Sequence, residues 1–147
     1  MPLLLVRHGQ ALAAESSDEA RALSLAGRAE VRALAVRMRD HGLAVGAVLS
    51  SPLVRAVQTA ELLASGTGYA GVLEIEPALA PDGDPRHAEN VLRARAAGGL
   101  LVVVTHEPIV RVIAARLLGR ATFPSFRTAG ACLIDGQELT LRLDPEG

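Results

Sequence analysis

The run Leu100-Leu101-Val102-Val103-Val104 constrains the fold more than any other stretch of the chain. Branched side chains lose rotamer freedom in a helix and pack well on a pleated surface, so the run reads as a strand. It has no alternating polar positions, and therefore no face for water. Such a strand is covered on both sides, as in a parallel sheet flanked by helices. Shorter runs of the same kind lie at Leu3–Val6, Val45–Leu49 and Val72–Ile75.

Between these runs the apolar spacing changes to that of helices. In Leu25–His41, residues Val31, Leu34, Ala35 and Met38 fall on one face. Ser24 is placed as its N-cap and Gly42 just past its C-terminus. Pro52–Ala64 opens with proline, which suits a first helical turn, and Pro85–Ala97 and Pro108–Leu118 follow the same logic. Ala131–Ile134 and Leu139–Leu143 read as two last strands around the turn Asp135–Gly136, and Ala11–Leu23 reads as a loop. Strands alternating with helices predict a three-layer α/β/α sandwich on a mostly parallel sheet. With no internal repeat and no low-complexity linker, one domain is expected over residues 1–147.

Composition narrows the partners. The chain has no Trp, one Tyr and two Phe, so its core is aliphatic and it lacks platforms for base stacking. A formal net charge of −1 provides no field that would gather nucleic acid or an anionic membrane. All 15 basic residues are Arg, which forks onto phosphate better than Lys does, although such a bias also follows from genome composition alone. The single Cys132 allows no internal disulfide and no Cys-based zinc site, and it reads as a small core residue. The apolar start MPLLLV is too short for a signal peptide or a span. A cytoplasmic protein without membrane contact is expected.

In open α/β sheets ligands bind beyond the carboxyl ends of the strands. The first strand runs into Arg7-His8-Gly9, the second into Ser50-Ser51-Pro52 with Arg55 soon after, and the Leu100 strand into Thr105-His106-Glu107-Pro108. Two histidines and two arginines from three distant segments thus arrive at one crevice. Guanidinium forks suit phosphoryl oxygens, and the helix start at Arg55 adds backbone donors. A neutral His8 in that setting can attack phosphorus, with its other ring nitrogen held by a carbonyl near Gly9. A protonated His106 would stabilise the transferring group. Gly9 is expected to let the chain turn sharply and phosphate approach. Taken singly, each residue has a structural explanation: a lone histidine after a strand is usually structural, and Arg55 alone would be a solvated helix residue. The histidines lack helical H-x₃-H spacing and a carboxylate-rich motif, so neither a metal nor another cofactor is expected.

The blocks LLVRHGQA, SSPLVRAVQTAELL and VVVTHEP resemble the signatures of the histidine phosphatase superfamily, in family order from Leu4 to Pro108. This resemblance implies the phosphoglycerate mutase-like fold, His8 as the phosphorylated nucleophile, and Arg7, Arg55 and His106 completing the phosphate pocket. EARALSLAGRAE and PALAPDGDPRHAENVL further resemble the short SixA-like branch, the phosphohistidine phosphatases, which implies that Arg21 reaches the phosphate. Mutase-type relatives carry long capping insertions, whereas the stretch from Ala64 to Leu100 holds one strand and one helix. An open crevice would admit a phosphorylated residue on another protein, such as a phosphotransfer domain.

No general acid stands out; Asp82, Asp84 and Glu76 are the acidic residues near the third strand. A phosphohistidine departs as neutral imidazole and needs less proton help than an alkoxide. The sequence thus leans toward a protein phosphohistidine phosphatase, with a small phosphomonoester phosphatase as the alternative and a non-catalytic phospho-binding module as a further one.

Overall fold

The computed structural model describes residues 2–13, 17–95 and 99–146. Its described residues form one six-stranded sheet of β1 (Pro2–Arg7), β2 (Val45–Ser50), β3 (Leu73–Ile75), β4 (Leu100–Thr105), β5 (Ala131–Asp135) and β6 (Glu138–Leu143). The spatial order is β3-β2-β4-β1-β5-β6. The pairs β1/β4, β2/β4 and β2/β3 are parallel, and β5 runs antiparallel to both β1 and β6. Four helices cover it: α1 (Leu25–Asp40), α2 (Val54–Thr67), α3 (Pro85–Ala94) and α4 (Ile109–Leu118).

Alternation along each strand divides the core in two. Leu3, Leu5, Leu101, Val103, Cys132 and Ile134 face α3 and α4. Leu4, Val6, Val102, Val104, Ala131 and Leu133 face α1 and α2. β4 is buried along its whole length, as its unbroken apolar run requires. Cys132 lies fully in the core, where burial pushes its thiol up to about 11.

The element boundaries differ where capping chemistry decides them. Ser24 does cap α1, its hydroxyl accepting from the Gly27 N–H, and Gly42 takes the left-handed conformation just past the helix. α2 begins at Val54 rather than Pro52, because the Ser51 hydroxyl holds the Leu53 N–H in a turn first. It runs on to Thr67 and stops at Gly68, φ +78°. α3 is helical to Ala94, and the expected extension over Ala96 and Ala97 lies outside the described residues. The 11–23 segment is not plain loop, since Ala11 bridges to Leu23 and Asp18–Ala20 form a 3₁₀ turn.

Candidate active site

The register of the three central strands builds the site. Arg7 of β1 pairs with Thr105 of β4, and the next residues along are His8 and His106. Ser50 of β2 pairs with Val104, and Ser51 follows. His8, His106 and Ser51 therefore emerge side by side from the carboxyl edge of β1, β4 and β2. The imidazole rings meet edge to face, 5.0 Å between centroids. Exposure is 9% at His8, 5% at Arg55 and 1% at His106, so these polar groups form a buried floor.

Two hydrogen bonds fix the protonation of His8. Nδ1 lies 2.7 Å from the Gly9 carbonyl, which can only accept. Nε2 lies 3.3 Å from Arg55 Nε, which can only donate. The proton is thus on Nδ1 and the Nε2 lone pair is on the Arg55 side. Burial, opposed by the Gly9 carbonyl and reinforced by the charges of Arg55, Arg7 and Arg21, lowers the pKa of His8 to about 4. The ring is neutral at physiological pH.

His106 Nε2 lies 2.7 Å from the Ser51 hydroxyl, which already accepts from the Leu53 N–H. Its Nδ1 is buried without a hydrogen-bond partner among the described residues, and so is Nε of Arg7. A buried polar atom left without any partner costs about 1–3 kcal/mol. Burial first, then the charges of His8, Arg55 and Arg7, lower His106 to about 3. The expectation of a standing imidazolium is thereby corrected: in the free site His106 is neutral, because a buried ring among guanidiniums does not hold a proton until an anion arrives.

Arg55 is committed along its whole guanidinium. Besides Nε to His8, Nη1 donates to the Asp18 carbonyl at 2.8 Å and Nη2 to Asp18 Oδ2 at 3.2 Å. Arg7 donates from Nη1 to the Phe126 carbonyl at 2.9 Å. Glu107 in turn accepts from the Phe126 N–H, which ties the 119–130 segment to the site. Thr59, wholly buried, accepts from the Gly9 N–H at 3.1 Å and donates to the Arg55 carbonyl, joining the His8 turn to α2.

The chain as a whole is similar to known proteins. The model of the histidine phosphatase superfamily (branch 1) covers residues 3–80. The chain belongs to this superfamily. Phosphohistidine phosphatase SixA of Escherichia coli (strain K12) is 31% identical over 131 residues, which is 88% of this chain and 81% of that protein. A solved structure of the protein histidine phosphatase SixA complexed with tungstate has a TM-score of 0.93 at 27% identity, covering 99% of this chain and 97% of that one.

The residues expected from this superfamily's signatures divide into three groups. His8, Arg55 and His106 come together on the floor, and Arg7 acts electrostatically on both rings. Arg21 stands at the rim, its Nη1 on Asp18 Oδ1 at 3.1 Å and its Nε on the Leu12 carbonyl at 2.7 Å. Gly9 serves differently from expectation. Its φ is not positive, so no sharp left-handed turn requires glycine. A Cβ there would lie 2.8 Å from Val31 Cγ2 and 2.9 Å from the Gly27 carbonyl oxygen, so the space is used by α1 rather than by phosphate.

Of the acidic residues near β3, Glu76 caps the 77–79 turn through the Ala78 N–H, Asp84 caps α3 through the Arg86 N–H, and Asp82 is exposed. Asp18, Ser51 and Thr59 are site residues that sequence reasoning missed. The signals were present: Ser51 directly follows a strand, and Asp18 stands three residues before Arg21.

Proposed function

We propose that the protein removes the phosphoryl group from phosphohistidine on another protein, through a covalent phosphohistidine at His8. The observation that carries this reading is the paired hydrogen bonding of His8, which leaves an Nε2 lone pair on a neutral ring beside a buried guanidinium. The similarity to SixA from E. coli and to a SixA structure holding tungstate, an oxyanion shaped like phosphate, supports it.

In the first step the Nε2 pair of His8 forms the bond to phosphorus. The P–N bond of the substrate breaks, and its electron pair stays on the departing ring. That ring, protonated at its other nitrogen, leaves as neutral imidazole. The Gly9 carbonyl holds the Nδ1 proton of His8 throughout, so the new phosphohistidine is itself a good leaving group. Water then attacks phosphorus, the pair returns to Nε2, and both water protons remain on the released dihydrogen phosphate. Arg55, Arg7 and an anion-induced imidazolium at His106 stabilise charge on the transferring group.

The test compares phosphate release from a phosphohistidine-bearing phosphotransfer domain with release from small phosphomonoesters, in wild type and His8→Ala, without added metal. The expected result is preference for the phosphoprotein and a loss of roughly a thousandfold or more in His8→Ala. Faster turnover of the small esters would move the substrate to a phosphomonoester, and equal inertness of both proteins would leave a phospho-binding module.

A further inference from the structure

The Arg55 guanidinium reaches from the nucleophile to a carboxylate. At one end Nε meets His8 Nε2 at 3.3 Å, and at the other Nη2 meets Asp18 Oδ2 at 3.2 Å. The two ends differ in depth. His8 and Arg55 lie on the buried floor, whereas the Asp18 side chain is 55% exposed at the mouth. A phosphoryl group held along Arg55 thus has the nucleophile on the inside and the carboxylate on the solvent side. In-line displacement sends the leaving group away from the nucleophile, and here that direction is toward Asp18.

A dianionic phosphoryl group, with three acceptor oxygens, competes with Asp18 Oδ2 for Arg55. The carboxylate does not drift away when it is displaced. Its Oδ1 stays paired with Arg21 Nη1 at 3.1 Å, and Arg21 is anchored in turn on the Leu12 carbonyl. Hydrogen bonds from Arg21 and Arg55 also hold this carboxyl below its usual range, so it is ionised and has no proton to give. An ionised carboxylate at the exit cannot protonate an alkoxide. It can pair with a leaving group that carries its own positive charge.

We propose that Asp18, held by Arg21, determines specificity by accepting the free ring N–H of a cationic phosphoimidazole as the phosphoryl group takes Arg55. This rests on the phosphohistidine reading above. By pairing with the charged ring, Asp18 favours the protonated form, the one whose P–N bond breaks to release neutral imidazole. For a phosphate ester, whose leaving group carries no positive charge, the same carboxylate is only a competitor for Arg55. Arg21 is then a positioning residue, acting on the substrate through Asp18 rather than on phosphate directly.

The experiment measures kcat/KM for a phosphohistidine peptide and for phenyl phosphate in wild type, Asp18→Asn and Asp18→Glu, with thermal melts confirming that each variant is folded. The selectivity ratio for the phosphohistidine peptide should fall about tenfold in Asp18→Asn, the factor that corresponds to one pK unit on the bound ring. It should be largely kept in Asp18→Glu. If Asp18→Asn changes both substrates by the same factor, Asp18 merely positions Arg55 and the inference fails while the phosphohistidine reading stands. If wild type hydrolyses phenyl phosphate but not the phosphohistidine peptide, that reading falls and takes the inference with it.

Discussion

Replacing Thr59 by Val tests whether the site is built on buried hydrogen bonds rather than on packing. The two side chains have nearly the same shape, so no cavity opens. What disappears is the hydroxyl that accepts from the Gly9 N–H at 3.1 Å and donates to the Arg55 carbonyl at 2.8 Å. Thr59 is 0% exposed, so water does not take its place. The Arg55 carbonyl keeps its helical partner, but the Gly9 N–H is left buried and unpaired. A stranded donor of that kind costs about 1–3 kcal/mol. For a chain of this size each kcal/mol lowers Tm by about 2–4 °C, so a fall of several degrees is expected in calorimetry. Activity should fall as well, because the Gly9 carbonyl fixes the proton on His8 Nδ1 and a loosened turn blurs that geometry. A Thr59→Val protein that melts with wild type and turns over at the same rate would refute this account of the site.

Two further outcomes follow from the same geometry. His8 and His106 have folded pKa values of about 4 and about 3, below the ordinary 6.5, so the unfolded chain takes up their protons first as pH falls. Stability is therefore full above about pH 6.5 and declines toward pH 4, by on the order of 1 kcal/mol per pH unit for each histidine; urea midpoints that stay flat from pH 7.5 to 5 would contradict this. Gly27→Ala, worth up to about 1 kcal/mol of gain in an isolated helix, should instead destabilise the protein in the same denaturation assay, because the new Cβ would lie 2.0 Å from the Gln10 carbonyl oxygen.

How far the sequence speaks depends on how local the deciding physics is. The buried β4 run, the Ser24 cap and the Gly42 stop are written in consecutive residues, and each appears where it was expected. The start of α2 was misplaced because one hydroxyl, on Ser51, reorganised the turn before the helix. The floor of the site was legible because strand ends deliver it, and parallel register then aligns His8 with His106. The rim was not. Asp18 meets Arg55 across 37 positions of chain, through a 3₁₀ turn in a segment rich in small polar residues, and no periodicity announces such a contact. The charge state of His106 also escaped, since it depends on four other cationic or titratable side chains, His8, Arg55, Asp18 and Arg7, gathered around a buried ring.

The placement of His8 and His106 one step beyond a paired position of β1 and β4 has a consequence for how such a protein changes over time. Their spacing is a property of two central strands, whereas Asp18 and Arg21, at the exposed rim, sit on the 17–21 turn. Exchanging that turn for another of different length or charge would retarget the scaffold and leave the distance between its two histidines untouched. In this architecture a library confined to that short segment, with Asp18 kept for its two hydrogen bonds to Arg55, varies the mouth while the histidine pair stays in place.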